Sequence, residues 1–149
     1  MKVVILENIR SAYNVGNVIR TADALGRNVW LSWYTATPEE SVKILKTSLG
    51  AEKNVGLTRF YNPAEAIKKA KDEKLTVIAA EVTENAVSLN DFAKKYSGDN
   101  IAVVFGNEVH GVLPETLEKV DNIVYIPMKG IKESLNVGQT TAVFMRELC

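Results

Sequence analysis

Six short, largely apolar runs, four of them rich in Val and Ile and all separated by stretches with helical spacing, constrain this chain more than any other feature of its sequence. They cover residues 3–6, 28–34, 57–61, 75–81, 101–105 and 123–126. The first, Val3-Val4-Ile5-Leu6, shows no alternation of polar and apolar residues, which is the pattern of a strand covered on both faces. Such strands belong to parallel sheets, whose crossover connections are usually helices packed on the sheet.

The intervening stretches supply those helices. Val15, Val18, Ile19, Ala22 and Leu25 follow Asn14 on one helical face, with Arg20 off that face, and Gly26 ends the segment. Thr37-Pro38-Glu39-Glu40 offers an N-cap, a proline at the first helical position and a glutamate at the third, so a helix is predicted from Pro38. Asn62-Pro63-Ala64-Glu65 repeats the signal for a helix running to about Glu73. Shorter helices are predicted over 89–96 and 114–119. A closing helix is predicted over 134–148, with Ser134 and Asn136 at its mouth, where each could cap the helix or contact a ligand. The alternation predicts an α/β fold: a mainly parallel six-stranded sheet with helices on both faces, built as one domain over residues 1–149.

Composition narrows the function classes. A chain of 149 residues buries roughly two thirds of the surface its unfolded form exposes. No long uncharged apolar run suggests a membrane span. Residues 1–6 enter a strand pattern at once, leaving no basic n-region or apolar h-region, so a cytoplasmic protein is expected. The single cysteine, Cys149, fits a reducing compartment, argues against a cysteine-based metal site and reads as incidental. Lys plus Arg equal Asp plus Glu at 18 each. The charge is unevenly spread, since residues 1–61 hold eight basic and five acidic side chains, a net +3, against ten and thirteen in 62–149. A polyanion would meet the first half more readily.

Three loops carry more Gly, Asn and charge than connection requires: Asn8 to Arg20, Phe105 to Gly111, and Ile126 to Asn136. Each follows a strand's carboxyl end, where open α/β sheets place ligands, so they are expected to converge on one edge. No G-x-G-x-x-G opens the first helix, and Gly111 is followed by Val rather than by Lys and Ser or Thr, which excludes the Rossmann and Walker A fingerprints. His110 is the lone histidine, so neither a zinc site nor a Ser-His-Asp triad is expected, and no metal is predicted.

In order, the three loops resemble the three motifs of the SpoU/TrmH family of RNA ribose methyltransferases, within the SPOUT superfamily. Asn14-x-Gly16-x-x-x-Arg20 with Ala24-Leu25-Gly26 is similar to the first, Val104-Phe105-Gly106-x-Glu108-x-x-Gly111 to the second, and Ile126-Pro127-Met128 through Ser134-Leu135-Asn136-Val137 to the third. Residues 46–52 and 77–81 also resemble connecting segments of the family.

The resemblance implies a deep trefoil knot formed from about Leu75 onward and an enzyme that moves the methyl group of S-adenosylmethionine to a ribose 2′-hydroxyl of RNA, with tRNA ahead of rRNA. Carried over by position, Arg20, Asn14, Glu108 and Asn136 are the implied catalytic residues. The cofactor is expected among Ala80, Glu81, Phe105, Gly106, Ile126, Met128, Ser134 and Leu135. Arg10 and Arg20 are expected to contact RNA, with Lys43, Lys46, Lys53 and Arg59 as further cations. A cytoplasmic homodimer is implied, here a minimal member without an RNA-binding extension. A noncatalytic RNA-binding or assembly protein that keeps the fold, and methylation at a base, are the rival readings. One departure stands inside the third motif: Gly138 occupies a position where the family commonly has Ser.

Overall fold

The computed structural model describes residues 2–96 and 98–148; Cys149 lies outside them. In chain order the elements are β1 (Lys2–Glu7), α1 (Ala12–Ala24), β2 (Asn28–Ser32), α2 (Leu45–Ser48), β3 (Leu57–Phe60), α3 (Pro63–Asp72), β4 (Thr76–Ala80), β5 (Val87–Ser88), α4 (Leu89–Lys95), β6 (Ile101–Phe105), α5 (Pro114–Leu117), β7 (Asn122–Tyr125) and α6 (Val137–Glu147). Short 3-10 turns at Val42–Ile44 and Ala51–Lys53 flank α2.

One sheet forms in the order β3-β2-β1-β6-β4-β7-β5, and every neighbouring pair is parallel. It has seven strands, not the predicted six. The additional strand, β5, is two residues long and pairs with β7 through Val87 and Ser88, too short to leave a period in the sequence.

The pleat sends successive side chains to opposite faces, and each face has its own core. Val4, Leu6, Val29, Leu31, Ile78 and Val103 meet Val15, Val18, Ile19 and Ala22 of α1, Leu89 and Phe92 of α4, and Phe144 and Met145 of α6. On the other face Val3, Ile5, Trp30, Val77, Ala102 and Val104 meet Ala66, Ile67 and Ala70 of α3, with Leu117 of α5 against them. Helices therefore cover both faces. Ile5, Leu6, Ile19 and Ile78 are fully buried, each contributing about 1.5–3 kcal/mol relative to an exposed side chain.

Helix α1 starts two residues before Asn14, capped by Ser11. It ends at Gly26 (φ +63°) in a Schellman arrangement: Arg27 N–H donates to Ala22 O at 2.8 Å and Gly26 N–H to Asp23 O at 3.3 Å. The helix predicted from Pro38 does not form. Thr37 and Glu40 make the reciprocal bonds of a capping box, at 3.0 and 3.3 Å. Glu40 also holds Arg59 of β3, and the box is pinned to the sheet edge as a turn, with Ser41 extended after it. Segment 42–48 instead packs hard on α1. A Cβ at Gly16 would collide with Thr47 Oγ1 and the Ile44 carbonyl oxygen. Among the described residues no helix is long and apolar enough to cross a membrane.

Candidate functional site

The carboxyl ends of β4, β6 and β7 open onto a cavity of about 720 Å³, lined by residues from 80–83, 105–112, 124–128 and 133–137, with Thr140 and Phe144 of α6. Two of the three glycine- and asparagine-rich loops reach it directly. The loop after β1 meets it from behind, through the carboxylate of Glu108.

Glu108 joins the first loop to the second. Its Oε2 accepts from Arg10 N–H at 3.0 Å, and its Oε1 accepts from Ser11 N–H at 3.0 Å and Asn14 Nδ2 at 3.1 Å. Partial burial alone would raise its pKa. The bonds from Arg10, Ser11 and Asn14 outweigh that effect and hold the carboxyl below its ordinary value. The negative charge also faces the amino end of α1, where the helix dipole favours it.

Asn14 joins the first loop to the third. Its side chain is buried; while its amide donates to Glu108, its Oδ1 accepts from Asn136 Nδ2 at 3.1 Å. Asn136 is the N-cap of α6, its Oδ1 accepting from Gly138 N–H at 2.8 Å. Glu108, Asn14 and Asn136 thus form one row of hydrogen bonds across the mouths of α1 and α6. Ser134 is not a cap: α6 begins at Val137, and Ser134 is exposed on the cavity wall. Gly138 is buried where α6 meets α1, and a Cβ there would lie 3.5 Å from Asn17 Cβ.

Three further residues shape the second loop. Asn107 is buried, donates to Asn8 O at 2.9 Å and accepts from the N–H groups of Val109 and His110. Glu81 accepts from Val112 N–H at 3.0 Å and Val82 N–H at 2.9 Å. Glu7, fully buried at the end of β1, accepts from Leu113 N–H at 2.7 Å and from the Thr116 hydroxyl. Burial pushes the Glu7 carboxyl above its ordinary pKa, with the Glu115 charge adding to the rise, while the bonds from Thr116 and Leu113 draw it back. Gly106 lies against the backbone of Gly111 and Val112, where a Cβ would collide. Its smallness is therefore spent on the loop itself.

All eight residues expected around the cofactor, Ala80, Glu81, Phe105, Gly106, Ile126, Met128, Ser134 and Leu135, line the cavity, as do Glu108 and Asn136. Asn14, Arg10 and Arg20 do not. Arg20 is exposed on α1, one turn after Asn17, and Arg10 is exposed at the loop before α1. Of the other cations, Arg59 is paired with Glu40 at 2.5 Å. Sequence reasoning missed Asn107, Glu7 and the wall residues Val124 and Phe144. An acidic residue closing an apolar strand was the available sign for Glu7; Phe144 looked like any core position of a helix.

The wall joins apolar Phe105, Val124, Ile126, Leu135 and Phe144 to polar Glu81, Glu108, Ser134, Asn136 and Thr140. That mixture suits a ligand that carries both apolar and polar groups. Among the described residues no three His, Cys, Asp or Glu side chains gather as a metal site.

Residues 1–146 match the model of the SpoU rRNA Methylase family. The chain is 34% identical over 145 residues to a tRNA (guanosine(18)-2'-O)-methyltransferase of Thermus thermophilus, covering 97% of this chain and 72% of that one. It superposes with a TM-score of 0.89 and 25% identity on the AdoMet-bound rRNA methyltransferase of Sinorhizobium meliloti, covering 99% of this chain but 55% of that one. A solved structure described for the 2-OH methylation of C/U34 on tRNA aligns with a TM-score of 0.81 and 26% identity, over 99% of this chain and 93% of that chain.

Proposed function

This chain belongs to the SpoU rRNA Methylase family, and from that premise we propose that it transfers the methyl group of S-adenosylmethionine to a ribose 2′-hydroxyl of RNA, with tRNA ahead of rRNA as substrate. The carrying observation is the row Glu108, Asn14, Asn136 beside a cavity that two of the motif segments line.

When bound, S-adenosylmethionine supplies an electrophilic methyl group. Ile126, Met128 and Leu135 would flank its base, Ala80, Phe105 and Gly106 would form the strand-end wall, and Glu81 and Ser134 would offer polar contacts at the rim. Asn136, by capping α6, would hold the third loop beside the methyl donor. Asn14 has both ends of its amide engaged, and Glu108 has three donors. Both act by holding the mouth of α1, and with it Arg20, in register with the cavity.

Arg20 carries the acceptor chemistry. A 2′-hydroxyl is a poor nucleophile, and the site has to stabilise its developing alkoxide. A guanidinium stays protonated over the working range, so Arg20 acts as a cationic clamp on the adjacent phosphate and the forming alkoxide, and the proton leaves to phosphate or water. Arg10 adds a phosphate contact, and Lys43, Lys46 and Lys53 extend the cationic surface.

The same reading takes residues 1–149 as one methyltransferase domain with the family's trefoil knot. It also takes the protein as a cytoplasmic homodimer. The return of α6 from the β7 side of the sheet to pack on α1 supports the knot, and the exposed apolar side chain of Val143 on α6 supports the dimer.

The test is calorimetric titration with S-adenosylmethionine, followed by incubation with labelled cofactor and RNA from cells lacking the protein. Cofactor binding and labelled 2′-O-methylnucleosides are expected. RNA bound without label means a noncatalytic binder, and a labelled base means methylation off the ribose; either outcome contradicts the proposal.

A further inference from the structure

Beyond the carboxyl end of β2 the chain carries two adjacent aromatic side chains that the core does not use. Trp33 and Tyr34 stack on one another, ring centroids 5.9 Å apart at an interplanar angle of 26°. Trp33 is 38% exposed and Tyr34 75%. The other tryptophan, Trp30, is buried against Phe60.

Trp33 stands at φ +53°, a left-handed conformation that a bulky residue adopts only when its surroundings impose it. The imposing bonds are visible. Thr35, next but one, is fully buried; its Oγ1 accepts from Ile9 N–H at 2.9 Å and donates to Leu6 O at 3.2 Å. Asn8 N–H donates to Ser32 O at 3.4 Å. These bonds fix the aromatic pair beside the loop that holds Arg10, whose N–H is in turn bound by Glu108 at the cavity. The pair therefore stands at the end of the strand next to β1, whose loop is tied to the cavity through Glu108.

The segments that adjoin the pair lean positive. Between Asn8 and Thr37 the only acidic residue is Asp23, at the far end of α1. Arg10, Lys43 and Lys46 are exposed, as is Glu39, and Glu40 is paired with Arg59. An exposed, immobilised aromatic stack beside the loop of Arg10 fits a nucleobase, since every base has a π-face and an adjoining phosphate meets the positive charge.

Resting on the RNA methyl-transfer reading, we infer that Trp33 and Tyr34 form a stacking platform for an unpaired nucleobase of the RNA, close to the methylated ribose. The base has to be unpaired, because a paired one stacks within its own helix. The platform thereby selects a loop or single-stranded segment as the place of methylation, a discrimination that the cofactor cavity does not supply.

The two tryptophans make a direct optical test possible. Total tRNA added to the full chain is expected to quench tryptophan emission. In Trp33→Phe the quenching is expected to vanish while tRNA affinity is kept, since phenylalanine still stacks. The double variant Trp33→Ala, Tyr34→Ala is expected to bind tRNA roughly 5- to 100-fold more weakly. Its affinity for S-adenosylmethionine and its salt dependence of tRNA binding should be unchanged, whereas Lys46→Ala should lower the salt slope by about one.

Wild-type tRNA affinity in the double variant overturns the inference, as does an equal loss of affinity for fully paired duplex RNA. So does sedimentation showing a wild-type oligomer that the double variant dissociates, which would make a second copy of the chain the occupant. Failure of the wild type to bind cofactor or transfer methyl counts against the proposed function instead, because the platform is read from tRNA affinity and fluorescence alone.

Discussion

Asn136 Nδ2 donates to Asn14 Oδ1 at 3.1 Å, joining the amino ends of α6 and α1 across 122 positions of sequence. Since Asn14 also donates to Glu108, the geometry of three separate loops depends on the orientation of a single buried amide.

Replacing Asn136 by Ala removes the cap on Gly138 N–H and the bond to Asn14 together. The cap is worth about 1 kcal/mol and the bond about as much again. A lower melting temperature and weaker S-adenosylmethionine binding are expected, measured by thermal unfolding and calorimetry. Unchanged cofactor affinity would remove Asn136 from the site.

Glu108 sets an acid limit. Partial burial raises its pKa, but the donors from Arg10, Ser11 and Asn14 bring the net value below the ordinary one. A depressed carboxyl contributes stability that is full above its unfolded pKa, about 4.3, and is lost as pH falls through the folded value. Denaturant midpoints between acid and neutral pH should show Glu108→Gln less stable than wild type at pH 7, with the difference closing in acid. A difference that persists in acid would mean the charge is not what holds the loop.

Glu7 should behave in the opposite sense. Burial raises its pKa, so stability is lost as pH climbs from about 4.3 through the raised folded value. Glu7→Gln keeps an acceptor for Leu113 N–H and turns the bond with Thr116 round, its amide N–H donating to the hydroxyl oxygen, without a buried charge. The variant is expected to lose that part of the pH slope and to gain on wild type at pH 8, as read from melting temperatures.

The two glycines at α1 contacts should part company. Gly16→Ala drives a Cβ into the Ile44 carbonyl oxygen and Thr47 Oγ1, an overpacking that costs about 1–3 kcal/mol. Gly138→Ala meets Asn136 Oδ1 at 3.2 Å and Asn17 Cβ at 3.5 Å, a tight but adjustable fit, and gains up to about 1 kcal/mol of helix propensity. Urea unfolding should find the first variant clearly destabilised and the second near wild type. The glycine that departs from the family pattern is thus accommodated rather than required.

Strand and helix order was legible because buried parallel strands and capped helices leave local marks, as Val3 to Leu6 and Asn62 to Glu65 do. β5 left none, since two residues make no period. The Pro38 helix was misread because its capping box is real and only a distant partner, Arg59, turns it into a loop. The cavity wall was legible as motifs. The work of Glu108 was not: its partners are two backbone N–H groups and an asparagine nearly a hundred residues earlier. Glu81 and Glu7 likewise support the second loop through contacts that only folding creates.

The central claim, that Arg20 stabilises the acceptor while the cavity holds the methyl donor, is tested most directly by Arg20→Ala assayed for both functions in one preparation. S-adenosylmethionine should bind with wild-type affinity while methyl transfer to RNA falls by roughly a hundredfold or more, the scale of removing one preorganised stabilising group. Transfer at the wild-type rate, or loss of cofactor binding together with activity, would contradict it.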